Sequence, residues 1–158
     1  AVMTREPESR HGQKGEVDTS APAAPLHASR VVRQGTDVTL VGHGAIVSVL
    51  LQAAELAASE GTSIEVVDVR SISPIDYEPI VASAQKTGRV VYVQEASGFT
   101  SVGSEVSATV SERAFFSLQA PVLRVSGWDV PFPPAKLEGA FLPDVDRVLE
   151  AVDRSLAY

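Results

Sequence analysis

The sequence predicts a three-layer αβα domain with a mostly parallel sheet of four or five strands. Three observations carry this. β-branched apolar runs (Val38 to Val41, Ile64 to Val69, Val90 to Val93) alternate with stretches of helical periodicity. Parallel neighbours need crossover connections, which the intervening helices supply. The chain also has 158 residues with 44% hydrophobic content, enough for one core and too few for two full domains.

Residues 1–28 lack periodicity and carry Pro7, Pro22, Pro25, Gly12 and Gly15, so they read as an extended arm or linker from something upstream. The folded domain is expected over 29–158. Val31-Val32 form a short extended segment, and Gly35-Thr36 turns the chain into the strand Asp37 to Val41. Gly42-His43-Gly44 ends that strand, and Ile46, Val49, Leu50, Ala53 and Ala54 then recur at helical spacing up to Gly61. Ser63 to Val69 is the next strand. Asp76 through Lys86 predicts a short helix closed by Gly88, and Arg89 to Val93 a strand. Gln94-Glu95 and a loop from Ala96 to Gly103 follow. A helix over Ser104 to Phe116 is expected to bury Val106, Val110, Ala114 and Phe115. Pro121 to Val125 is the last core strand and Gly127 to Pro134 a Pro-rich loop. Pro143-Asp144 then opens a final helix with Val145, Val148, Leu149 and Val152 as its apolar stripe.

Charge and composition exclude several functions. The net charge is −7, split as +1 over residues 1–34 and −8 over 35–158. An acidic body disfavours nucleic acid and anionic membrane and suits a basic partner or plain solubility. With no cysteine there is no disulfide, no thiolate metal site and no thiol nucleophile. No run of about 18 apolar residues is present to span a bilayer, so a cytoplasmic setting is the expectation.

The local motifs each admit two readings. Gly42-His43-Gly44, with Asp68 late in the next strand, carries part of a dinucleotide fingerprint. Val47 stands where the third small residue belongs, so a tight turn that needs glycine explains the pattern as well. His43 is either a base or phosphate ligand at a strand end or polar lining. Glu95 is either a general acid or base, or a carboxylate that caps the following helix or pairs with an arginine. Ser97, Ser101 and Ser104 do not form a nucleophile elbow. The loop of Trp128 and Pro131-Phe132-Pro133-Pro134 is either an interface or a cover over a sheet edge.

Four phrases in order carry a resemblance: Gly35 to Val41, Asp68 to Asp76 (Asp-Val-Arg-Ser-Ile-Ser-Pro-Ile-Asp), Lys86 to Ala96, and Ala120 to Pro133. Over about residues 25–158 the chain resembles the carboxyl-terminal domain of the E1 β subunits of 2-oxo acid dehydrogenase complexes, a relative of the transketolase carboxyl-terminal domain. The resemblance implies an oxidoreductase component that depends on thiamine diphosphate and Mg²⁺ in a full α2β2 E1. The cofactor is not bound by this chain alone, since its ligands belong to the α subunit and the amino-terminal half of β. No catalytic, cofactor or metal residue is therefore assigned here. The implied partners are the E1 α subunit, a second β subunit and the peripheral-subunit-binding domain of the E2 acyltransferase. For that E2 contact the resemblance points to Gln119, which stands where relatives often carry an acid, and to Tyr158. Ser104 to Val110 and Trp128 to Pro133 look closest to branched-chain forms, with pyruvate and acetoin relatives sharing most of the pattern. A free-standing dinucleotide-binding module is the alternative from a different class.

Overall fold

The computed structural model describes Ser20 and residues 25–158; the rest of the arm expected over 1–28 lies outside the described residues. Five strands form one sheet in the order β1-β3-β2-β4-β5, namely β1 Arg30–Arg33, β2 Val38–Gly42, β3 Ile64–Asp68, β4 Val90–Ser97 and β5 Leu123–Gly127. β2, β3, β4 and β5 are parallel, and β1 adds antiparallel to the outer side of β3. The five-stranded, mostly parallel expectation therefore holds, with Val31-Val32 as the one reversed strand.

Helices α1 (Ile46–Ser59), α2 (Glu78–Thr87) and α3 (Val102–Ala114) make the three crossovers, and α4 (Glu138–Phe141) and α5 (Val145–Leu156) follow β5. The step from β2 to β3 runs in one direction along the sheet, while the steps to β4 and β5 run in the other. Crossovers of a single hand must then place α1 on one face and α2 and α3 on the opposite one. The cores confirm this. Ile46, Leu50 and Ala54 of α1 and Val148, Ala151 and Val152 of α5 pack on Leu40, Val66, Val91 and Val93. Ile80, Val81 and Ala84 of α2 and Val106 and Val110 of α3 pack on Val41, Val67, Val90 and Tyr92. Successive strand residues feed alternate faces, as the pleat requires.

Several boundaries differ from expectation, among them β5, which runs Leu123–Gly127 rather than Pro121 to Val125. α2 begins at Glu78 rather than Asp76, because the Asp76 carboxylate accepts from the backbone N–H groups of Ser29 and Glu78 before the helix starts. β4 continues through Gln94 and Glu95 to Ser97, where the loop was expected, because Ser97 pairs with Gly127 of β5. α3 starts at Val102, with Ser101 as its N-cap accepting from Ser104 N. It ends at Ala114 in a turn of 3₁₀ helix, Phe115–Ser117, which leaves Phe115 exposed instead of buried, with Phe116 exposed beside it. The last helix opens as expected, with Asp144 as N-cap accepting from Arg147 N at 2.9 Å.

Candidate functional site

The strand order reverses between β2 and β4, and open α/β sheets collect ligands at the carboxyl ends of strands flanking such a point. Here that position is held by Gly42-His43-Gly44 and by the end of β4. Gly42 has no room for a side chain: a Cβ would lie 2.9 Å from Ile46 Cγ2 and 3.1 Å from the Val93 carbonyl. Gly44 has φ +66°, the left-handed region that favours glycine. Both glycines thus answer to the turn. His43 Nδ1 lies 3.0 Å from the hydroxyl of Tyr92, a residue wholly buried under α2 and α3. Burial lowers the His43 pKa, opposed by the nearby Asp68 charge. Burial likewise raises the pKa of Asp68, whose carboxylate accepts from Arg70 N at 3.1 Å. Asp68 is therefore engaged in a local turn, and Val47 keeps the place of the third small residue.

At the end of β4, Gln94, to which the sequence pattern assigns no role, has a structural one. Gln94 is 3% exposed; its Oε1 accepts from Gly103 N at 2.9 Å and its Nε2 donates to the Ser97 carbonyl at 2.6 Å. One buried amide thus ties β4 to the start of α3, which satisfies polar groups that would otherwise be costly to bury. Gly103 permits this approach, since a Cβ there would sit 2.7 Å from the Tyr92 ring. Glu95 is exposed and takes neither structural role proposed for it. Ser101 caps α3, and the two ion pairs among the described residues are Lys86–Glu65 and Arg113–Glu78. Ser97 donates to Asp129, and Ser104 accepts from Arg124 at 2.7 Å; among the described contacts His43 meets Tyr92, not a serine.

The Trp128 loop is both anchored and presented. Trp128 Nε1 donates to the Ala140 carbonyl at 3.0 Å, the Arg147 guanidinium lies 4.6 Å from its ring, and Phe132 stacks edge-on against Phe141. Trp128 is nevertheless 55% exposed, with Val130 and Phe132 exposed beside it.

At the opposite, amino edge of the sheet the structure brings Gln119 and the end of α5 to one side through Arg89. Arg89 Nη1 donates to Gln119 Oε1, and its Nε donates to the Ser155 carbonyl at 3.0 Å. Guanidinium has only donors, so the Gln119 oxygen must face Arg89 and its NH₂ is left for other contacts. Gln119 N also donates to the Gly88 carbonyl at 2.8 Å, with Gly88 in the left-handed conformation at φ +70°. Tyr158, three residues past Ser155, is 69% exposed. Arg89 was legible only as the first residue of a strand; its bridging role depends on residues 30 and 66 positions away.

Among the described residues no group of three or more His, Cys, Asp or Glu could hold a metal ion, and no helix is long and apolar enough to cross a membrane.

Comparison with known proteins gives concordant results. A family model described as transketolase, C-terminal domain, matches residues 27–148. The chain is 65% identical over 157 residues to a protein of Leifsonia xyli subsp. xyli named pyruvate dehydrogenase E1 component subunit beta, covering 99% of this chain and 47% of that one. It is 44% identical over 156 residues to the 3-methyl-2-oxobutanoate dehydrogenase subunit beta of Mycobacterium tuberculosis, covering 98% and 45%. The chain thus spans about half the length of these curated relatives. Among solved structures, a split-gene transketolase described as an inactive beta4 tetramer superposes with TM-score 0.76 at 34% identity, covering 90% of this chain and 46% of that one. A transketolase of Pichia stipitis at 16% identity and TM-score 0.53, covering 83% and 18%, shares the fold. The model match over most of the chain and the shared sheet architecture lead to one conclusion: this chain belongs to the transketolase C-terminal domain family.

Proposed function

We propose that the chain is the carboxyl-terminal half of an E1 β subunit of a 2-oxo acid dehydrogenase and serves assembly rather than chemistry. The observation that carries this is the 65% identity, over nearly the whole chain, to a protein named as such a subunit. The arm up to residue 28 is read as the link to the missing half. Thiamine diphosphate, when bound in the full enzyme, supplies the nucleophile for decarboxylation; its ligands and those of Mg²⁺ are placed on the α subunit and the other half of β. The chain's own contribution is a rigid body that packs on α and on a second β. Identity favours pyruvate as the 2-oxo acid over the branched-chain reading, for which the 44% relative speaks.

Full-length β co-expressed with α is expected to decarboxylate pyruvate faster than 3-methyl-2-oxobutanoate, read as reduction of an artificial electron acceptor. The isolated chain should show no turnover. Absence of activity toward every 2-oxo acid in the co-expressed pair would sink the family function, and a preference for 3-methyl-2-oxobutanoate would restore the branched-chain assignment.

The Gln119 edge is the proposed contact for the basic E2 module. Since Arg89 occupies the amide oxygen, Gln119 offers that module a donor, and Tyr158 an exposed ring past the end of α5. A neutral hydrogen bond contributes about 1 kcal/mol, so Gln119→Ala should weaken docking about five-fold. Surface plasmon resonance of the E2 subunit-binding domain on the assembled E1 reads this directly. An unchanged dissociation constant would remove Gln119 from the interface.

A further inference from the structure

The amino edge of the sheet carries aromatic surface that the fold leaves uncovered. Phenylalanine is ordinarily a core residue, yet four of the chain's five are exposed and Phe141 alone is buried. Two of the four, Phe115 and Phe116, stand side by side in the 3₁₀ turn after α3, with Phe116 fully exposed. Their rings meet edge-on, with centroids 5.4 Å apart and planes at 83°.

The turn that displays them is fixed at both ends. Leu118 N donates to the Phe115 carbonyl at 3.2 Å, and Leu118 packs against the core under α2 and α3. Gln119 N donates to the Gly88 carbonyl at 2.8 Å. The Gln119 side chain lies so close over Gly88 that a Cβ there would meet its Cγ at 2.9 Å. One turn therefore holds both the aromatic pair and Gln119, and surface fixed in this way loses little freedom when a partner covers it. Three residues separate Phe116 from Gln119, a span of at most about 11 Å. A standard footprint of about 800 Å² per partner has a radius of roughly 16 Å, so a partner centred on Gln119 reaches the aromatic pair.

The charges beside the pair favour a basic partner. Arg113 is neutralised by Glu78, whereas Glu112, in the same last turn of α3, is exposed and belongs to neither ion pair among the described residues. Arg89, beyond Gln119, is directed at the Gln119 oxygen and the Ser155 carbonyl.

We propose that Phe115 and Phe116 are the apolar anchor of this edge and receive an apolar side chain of the basic E2 subunit-binding domain, which rests on the E2 reading of Gln119. Interfaces are enriched in aromatic residues, and a few well-placed ones dominate their energetics. Gln119 contributes one neutral hydrogen bond, so the aromatic pair accounts for the larger share of the contact.

Surface plasmon resonance of the subunit-binding domain on E1 assembled from α and full-length β tests this. Phe116→Ser should weaken binding about 30-fold, equivalent to about 2 kcal/mol. Because Phe116 is fully exposed, the thermal melt of that variant should match the parent. Phe99→Ser removes an exposed phenylalanine beyond the opposite, carboxyl end of β4 and should bind like the parent. The anchor is refuted if Phe116→Ser binds within about two-fold of the parent while Gln119→Ala weakens binding. It is equally refuted if Phe99→Ser loses as much as Phe116→Ser. Failure of Phe116→Ser to assemble with α, read by size-exclusion chromatography, would put the pair in a subunit contact and overturn the proposal. If the module does not bind the parent enzyme, or neither Phe116→Ser nor Gln119→Ala changes its binding, the E2 reading of this edge falls and the anchor with it.

Discussion

Replacing Gly35 with alanine should destabilise the domain by more than about 4 kcal/mol, at the extreme of single-substitution effects, and drive most of the protein into the insoluble fraction. Gly35 lies in the turn from β1 to β2, directly over the start of β3. A Cβ at this position would sit 2.1 Å from the Ile64 carbonyl carbon and 2.2 Å from Glu65 N. Those are backbone atoms of a strand paired on both sides, so no side-chain rotation relieves the overlap. The turn cannot lift away cheaply either, because Thr36 N and Asp37 N both donate to the Ser63 carbonyl, at 3.1 and 2.8 Å. Gly139→Ala is the matched control: nothing lies within 4 Å of its added Cβ, and it sits in α4. Urea midpoints of the two variants should separate widely, and a Gly35→Ala protein as stable as the control would refute the packing argument.

Lys86→Met should cost about 1.5–3 kcal/mol, the range for a hydrogen bond to a charged group: it strands the buried Glu65 carboxylate, but the lysine is itself 41% exposed. Glu65 is 2% exposed on β3, facing α2, and Lys86 Nζ reaches its carboxylate while also donating to Gln34 Oε1 at 3.0 Å. Burial pushes the Glu65 pKa up, but hydrogen bonds from Lys86, Ser83 and Gly35 N, together with the Lys86 charge, bring it below its ordinary 4.5. With the folded pKa lowered, the unfolded chain binds the proton more readily. The stabilisation is therefore complete above about pH 4.5 and is lost as pH falls through the folded value. Removal of the lysine leaves the carboxylate's burial uncompensated, so the variant's deficit should shrink as acid neutralises Glu65. Glu65→Met with Lys86→Met should recover much of the loss, as buried pairs replaced by apolar side chains often do. Denaturation of the two single variants and the double variant, at pH 7 and near pH 4, measures both effects. A pH-independent deficit would mean the loss is one of packing alone.

These residues show what was legible in the sequence. The four parallel strands and four of the helices could be read because strands buried on both faces are runs of Val, Ile and Leu, and helices that cover them repeat every three to four residues. Glu65 could not be read as buried: its polarity argues for solvent, and the lysine that admits it to the core is 21 positions away on a helix. Gln94 looked like the end of a strand, yet pairing with β5 carries β4 three residues further and turns Gln94 inward. Phe115 looked like core because it continues the apolar period of α3, whereas the helix ends one residue earlier. The resemblance marked Gln119 and Tyr158, but the guanidinium that turns the Gln119 amide outward became visible only when Gly88, Arg89 and the last turn of α5 came together.

The reversed edge strand sets an order on how the sheet can be completed. β1 precedes every other element, yet its sole neighbour is β3, so residues 34–63, holding β2 and α1, must be in place before β1 has anything to pair with. The first of the domain's described strands is thus obliged to wait until β3 has been made. The seam where it finally docks runs past Gly35, the tightest point between backbone segments in the domain's glycine contacts. Closure of the outer edge and admission of the Glu65 carboxylate, which accepts from Gly35 N, are consequently one event.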